Sequence, residues 1–318
     1  MSNTIEKALQ RKQEELRKQA EAEQAANPAA EQPTSPPEVD VAAQTEAQAP
    51  QEVYQRKPAA ETMSGKGEID PGEKELFELD LNALESKGHV SLTGSRSLVN
   101  EEFREIKRKL LGNAFGPLAG TLKNSNIIMV TSGRPSEGKT FTATNLALSI
   151  ASEQDKTVLL VDADVLRPNI LNTLGLEGRK GLMEYLTGDV YDIADVLYPT
   201  NIEKLKIIPA GKSHHLSTEF LASQKMHETI NEFANRYPDR VVIIDTPPLI
   251  GITETAVLAN FAGQAVVVVE EGKAKLNDVR NCIDRLNPEM AIGFVVNKSV
   301  HTDDDGTGYY GYYSYAKD

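Results

Sequence analysis

Cysteine is nearly missing from this chain, with Cys282 the only one in 318 residues. A lone thiol forms no internal disulfide and has no ligand-spaced partner for a metal, so nothing calls for an oxidising compartment. Positive charge is scarce as well. The formal net charge is -13, which repels a phosphate backbone and sets aside a general nucleic-acid binder. No run of about 18 apolar residues is present to cross a bilayer, and the opening "MSNTIEKALQRKQEELRKQA" lacks the apolar core of a signal peptide. Ile5, Ala8, Leu9 and Leu16 fall near helical spacing, but so thin a face fits a solvated or partner-bound helix better than a membrane-surface one. A cytoplasmic address is the expectation.

What is present is enough apolar material, 40% of the residues, for one large α/β domain with extensions. Residues 1–75 read as a charged N-terminal helix and a disordered linker. From about residue 21 the linker is rich in Ala, Gln, Glu and Pro and holds too few large apolar residues to offset its ordering entropy. Residues 76–125 read as a helical docking and oligomerisation segment. In "SLVNEEFREIKRKLLGNAF", Phe103, Ile106 and Leu110 repeat at i, i+3 and i+7.

Residues 126–300 carry the core. "NIIMVTS", "TVLLVDAD", "LKIIPAG", "VVIIDTPP", "AVVVVEE" and "AIGFVVNK" are short β-branched runs separated by helical patterns, the mark of a mostly parallel sheet covered by helices on both faces. Residues 301–318 form a polar, Gly-rich tail. Five of the last ten residues are tyrosine, in a protein with ten in all.

Directly after the first core strand comes "GRPSEGKT", residues 133–140. It satisfies G-x-x-x-x-G-K-[ST] and opens a helical run, the context of a P-loop NTPase. The loop from Gly133 through Arg134, Pro135, Ser136, Glu137, Gly138, Lys139 and Thr140 to Phe141 is the expected phosphate cradle. Its glycines let backbone N–H groups turn inward, and the helix start adds partial positive charge. Lys139 is expected to reach the β- and γ-phosphates and the Thr140 hydroxyl to ligate Mg²⁺. In a parallel sheet all strand carboxyl ends share one edge, so Asp162, Asp164 and Asp245 should converge there. Asp245 reads as a carboxylate that holds Mg²⁺. Arg167 completes a charge network with the aspartates or touches phosphate. To this point the residues describe an ATP or GTP site. "NKSV" at 297–300 lacks the Asp of an Asn-Lys-x-Asp base-reading motif, so ATP is the expected nucleotide. His214 and His215 lie in a polar loop and are assigned no role.

The order "GRPSEGKT", "LLVDADVLRPN", "VIIDTPPLIGITET" and the terminal tyrosine cluster resembles the bacterial tyrosine kinases, a P-loop family related to the partition ATPases. The likeness runs over roughly residues 85–318, and "EEFREIKRKLLGNA" is similar to the branch linked to exopolysaccharide loci with exosortases. The resemblance implies autophosphorylation of Tyr309, Tyr310, Tyr312, Tyr313 and Tyr315 with ATP and Mg²⁺, and control of exopolysaccharide synthesis and export. It implies Lys139 on phosphate, Thr140, Asp164 and Asp245 at the metal, and Asp162 as the base for the tyrosine hydroxyl. Trans-phosphorylation in a homo-oligomeric ring, a membrane chain-length-determinant or co-polymerase adaptor, a tyrosine phosphatase, and an address at the inner membrane through a partner are implied too. The family's oligomerisation pattern E-x-x-R-x-x-R appears as Glu101, Arg104 and then Lys107, a departure in the last place. Lysine lacks arginine's bidentate fork.

A partition-type ATPase switch is the rival, but its signature lysine after the first glycine is replaced here by Arg134, followed by Pro135. A nucleotide-sensing module without phosphotransfer is a second. The tail itself leaves the last strand at the nucleotide edge. From Ser299 to Tyr312 is about 43 Å fully extended, enough to enter a neighbouring site.

Overall fold

The computed structural model describes residues 76–93, 97–117 and 119–299. The expected N-terminal helix, the linker and the tyrosine tail lie outside the described residues.

Among the described residues two helices precede the sheet: α1 (Leu81–Ser86) and α2 (Leu98–Phe115). The Ser97 hydroxyl accepts the Asn100 N–H and caps α2. Then follow β1 (Ile127–Ser132), α3 (Lys139–Ala151), β2 (Thr157–Asp162), α4 (Ile170–Leu174), α5 (Leu182–Thr187), β3 (Tyr198–Pro199) and β4 (Leu205–Ile208). The remainder is α6 (Ser217–Leu221), α7 (Gln224–Asn235), β5 (Arg240–Asp245), α8 (Thr253–Ala259), β6 (Gln264–Glu270), α9 (Leu276–Ile283) and β7 (Ala291–Asn297).

The six apolar runs become six parallel strands. β3 alone is antiparallel, and the seven-stranded sheet runs β3-β4-β2-β5-β1-β6-β7. A two-residue strand offers no alternation to read in the sequence.

Continuous apolar runs make sense because both faces are covered. Ile127, Met129, Leu159, Val161, Val242 and Ile244 pack with residues of α5, α7, α8 and α9. Their alternates Ile128, Val130, Val158, Leu160, Val241 and Ile243 pack with α1 to α4. Each such buried side chain contributes about 2 kcal/mol of apolar transfer.

Register then places the chemistry. Asp162 of β2 pairs directly with Asp245 of β5, and Asp245 pairs in turn with Val130 of β1. β2 and β5 therefore end level, and β1 runs two residues further, into the loop that joins it to α3. The segment before α2 braces that loop's helix: the Val90 N–H donates to Asn145 Oδ1 at 2.7 Å, and the Phe141 ring lies 4.9 Å from that of His89.

Candidate active site

Residues 133–138 curl between β1 and α3 with two left-handed positions, Ser136 at φ 69° and Gly138 at φ 100°. A Cβ on Gly138 would lie 1.9 Å from Asn297 Nδ2, so only glycine fits. Glu137 turns its buried carboxylate back into the loop and accepts the Arg134 N–H at 2.7 Å. The Ser132 hydroxyl donates to the Arg134 carbonyl at 2.7 Å. The loop is thus closed by its own side chains, leaving α3's first N–H groups for a ligand.

Below it sit one ammonium and three buried carboxyls. Lys139 Nζ lies 2.6 Å from Asp164 Oδ2 and 3.9 Å from Asp245 Oδ1. The Thr140 hydroxyl donates to Asp245 Oδ2 at 2.7 Å. Asp245 Oδ1 is buried with no hydrogen-bond partner. Asp162 is buried and accepts three backbone N–H groups, from Asp164, Asn169 and Ile170. It therefore folds the loop between β2 and α4 around itself.

These neighbours shift one another's protons. Burial pushes the Asp162 carboxyl up to about 8, helped by Asp245 and Asp164 and opposed by the Ile170 N–H. Burial raises Asp245 to about 6, against Lys139 and the Thr140 hydroxyl. Burial works against the charge on Lys139, but Asp245 and Asp164 outweigh it and hold the ammonium above its usual range. The site is short of positive charge.

A family model for the AAA domain matches residues 125–291. The tyrosine-protein kinase CpsD of Streptococcus agalactiae serotype III is 34% identical over 179 residues, covering 55% of this chain and 75% of that kinase. The chain belongs to the bacterial tyrosine-protein kinases. Tyrosine-protein kinase wzc of Salmonella typhimurium is 32% identical over 192 residues, 60% of this chain; the match spans 26% of that longer relative. The kinase domain of the Escherichia coli tyrosine kinase ETK superposes with a TM-score of 0.54 at 27% identity, covering 64% of this chain and 78% of that one.

Within this family member, Lys139, Thr140, Asp162, Asp164 and Asp245 come together at the sheet edge. Four of the expected residues make further contacts of their own. Asp164, expected at a metal, is engaged by the Lys139 ammonium, because the shared edge puts the cation within its reach. The Arg167 guanidinium makes no ion pair among the described residues; its backbone N–H binds Asp164 Oδ1 at 3.1 Å instead. The Phe141 ring packs on His89 and Phe103, so only its backbone faces the cradle. Arg134 is bound at 2.8 Å by Asp278 of α9.

The oligomerisation stripe needs a correction. Glu101 and Arg104 pair at 2.6 Å on the outer side of α2, but Lys107 is buried and is no surface contact. Its ammonium donates to the Ser149 carbonyl at 2.9 Å and meets Glu153 at 2.6 Å. Position 107 faces the same side as Phe103 and Leu110, and a cation there caps the C-terminal end of α3. Lys107→Ala is expected to lower the unfolding free energy by about 2 kcal/mol in chemical denaturation, through loss of the buried ammonium's bonds to the Ser149 carbonyl and to Glu153. Arg108, one residue on, is exposed.

Sequence reasoning missed Asn297 and Lys298. The Asn297 amide donates to the Glu137 carbonyl at 2.9 Å, and Lys298 Nζ to the Ser136 carbonyl at 2.6 Å. They lie 160 positions or more from their partners, and no local pattern announces such a contact.

Proposed function

We propose that this chain is an ATP-dependent tyrosine autokinase that phosphorylates Tyr309, Tyr310, Tyr312, Tyr313 and Tyr315 of its own tail. The observation that carries the reading is the orphaned Asp245 Oδ1, buried beside the Thr140 hydroxyl and the Lys139 ammonium under a phosphate-shaped loop. An acceptor oxygen left bare at full burial is unfavourable unless a cation uses it.

The residues present fit Mg²⁺ with ATP as co-substrate. Mg²⁺ asks for one or two protein oxygens, with water and phosphate completing its shell. Asp245 and Thr140 would hold it, and it would neutralise charge on the β- and γ-phosphates. The loop N–H groups and Lys139 bind and orient the phosphates. Lys139 releases Asp164 as it turns to the γ-phosphate. Asp162, held by three N–H donors and in the ionised form that a bound cation would favour, accepts the phenol proton as the tyrosine oxygen bonds to phosphorus and ADP leaves.

No helix among the described residues is long and apolar enough to cross a membrane. Control of exopolysaccharide synthesis and export would run through a membrane chain-length-determinant or co-polymerase adaptor, with the chain cytoplasmic and peripheral to the inner membrane and a tyrosine phosphatase resetting it. A homo-oligomer, a ring with trans-phosphorylation, would use Glu101 and Arg104, with exposed Arg108 in the place that Lys107 does not fill.

The test is incubation of the full chain with Mg²⁺ and ATP, followed by mass spectrometry of the C-terminal peptide. Phosphate on the tail tyrosines is expected. An unlabelled tail with ATP still hydrolysed, also with an adaptor present, would favour a partition-type switch. Each phosphate adds about -1.5 to -2 charges beside Asp303, Asp304 and Asp305. A variant with all five tyrosines changed to phenylalanine is expected to take no label, bind ATP as before, and stay assembled with ATP, as light scattering would show.

A further inference from the structure

Where β7 ends, the chain touches the nucleotide loop twice in succession. The Asn297 amide donates to the Glu137 carbonyl and abuts Gly138, and Lys298 Nζ donates to the Ser136 carbonyl while pairing with Glu270 at 3.0 Å. A second, independent observation marks the same place. Among the described residues only three that are not glycine have left-handed backbones, and two of them are Ser136 at φ 69° and Lys298 at φ 57°, the two ends of one hydrogen bond. Such conformations are uncommon for residues with a Cβ and persist where surroundings over-determine them.

We infer that Asn297 and Lys298 are positioning residues that clamp the nucleotide loop and tie it to the root of the tail. The inference deepens the autokinase reading and rests on it for the loop's ligand. With carbonyls 136 and 137 held outward, the intervening peptide N–H groups stay turned to the phosphates. Residue 299 follows directly, so the chain segment that bears the acceptor tyrosines departs from the clamp itself. Nucleotide affinity and the hold on the tail root are then one linked equilibrium, reciprocal by thermodynamic necessity.

The clamp acts on loop shape in ground and transition states alike, so its loss should raise KM for ATP and spare kcat. Asn297→Ala is expected to weaken Mg-ADP binding about tenfold, and half-exposed Lys298→Ala about threefold. Lys298→Arg, which keeps a donor within reach, should restore affinity to within about twofold. Fluorescent Mg-ADP titration of the full chain reads this without any phosphotransfer, and thermal melting without nucleotide should stay near wild type in all three. Unchanged affinity in both alanine variants would overturn the clamp, as would a loss matched by kcat and by melting temperature. Wild type that binds nucleotide but never labels its tail would sink the autokinase reading and leave the clamp standing.

Discussion

Lys139→Met is expected to reduce tail phosphorylation at least about 100-fold, the scale of removing one preorganised charge from a developing phosphoryl transition state. Quantified phosphotyrosine in the C-terminal peptide checks it. The same variant should show a pH-dependent loss of stability. In the wild type, folding raises the Lys139 pKa, so its contribution is whole below the ordinary lysine range and disappears only as pH rises through the raised value. Removing the ammonium takes away the charge that holds down Asp162 and Asp245. A carboxyl whose pKa is raised by folding favours the fold below its unfolded value of about 4 and withdraws that support as pH climbs toward its folded value. The penalty should therefore grow between about pH 5 and about pH 8 and reach about 3 kcal/mol. Denaturant midpoints at the two pH values measure it; a penalty independent of pH would mean that the carboxyls do not sense the lysine.

Asp162→Asn is expected to slow tail phosphorylation about 100-fold or more, the usual worth of a positioned proton acceptor. Its stability should change by no more than about 1 kcal/mol. The neutral amide escapes the burial that pushes the carboxyl up to about 8, and it loses part of the acceptance of three backbone N–H groups. Near-normal nucleotide affinity with a collapsed transfer rate would separate a proton-transfer role from a scaffold role. Wild-type transfer in the variant would place the proton's destination elsewhere.

Much of the fold and the site is legible in the sequence alone. The parallel sheet followed from runs such as "TVLLVDAD" and "VVIIDTPP", since strands buried on both faces have no polar side to display. The phosphate loop followed from eight consecutive residues, because phosphate binding there is backbone chemistry that glycine spacing records directly. Convergence of Asp162 and Asp245 followed from the rule that parallel strands end on one edge.

The sequence by itself determined the elements, their faces and the chemistry at their ends, because those are written within ten or so neighbouring residues as periodicity and turn composition. Only the tertiary structure decided that Lys107 faces inward to Ser149 and Glu153, that the Lys139 ammonium meets Asp164, and that Asn297 and Lys298 grip the loop. Each is a contact between residues at least 25 positions apart. Which partners meet across such gaps depends on strand order and helix rotation, and these are set by how the whole apolar core packs.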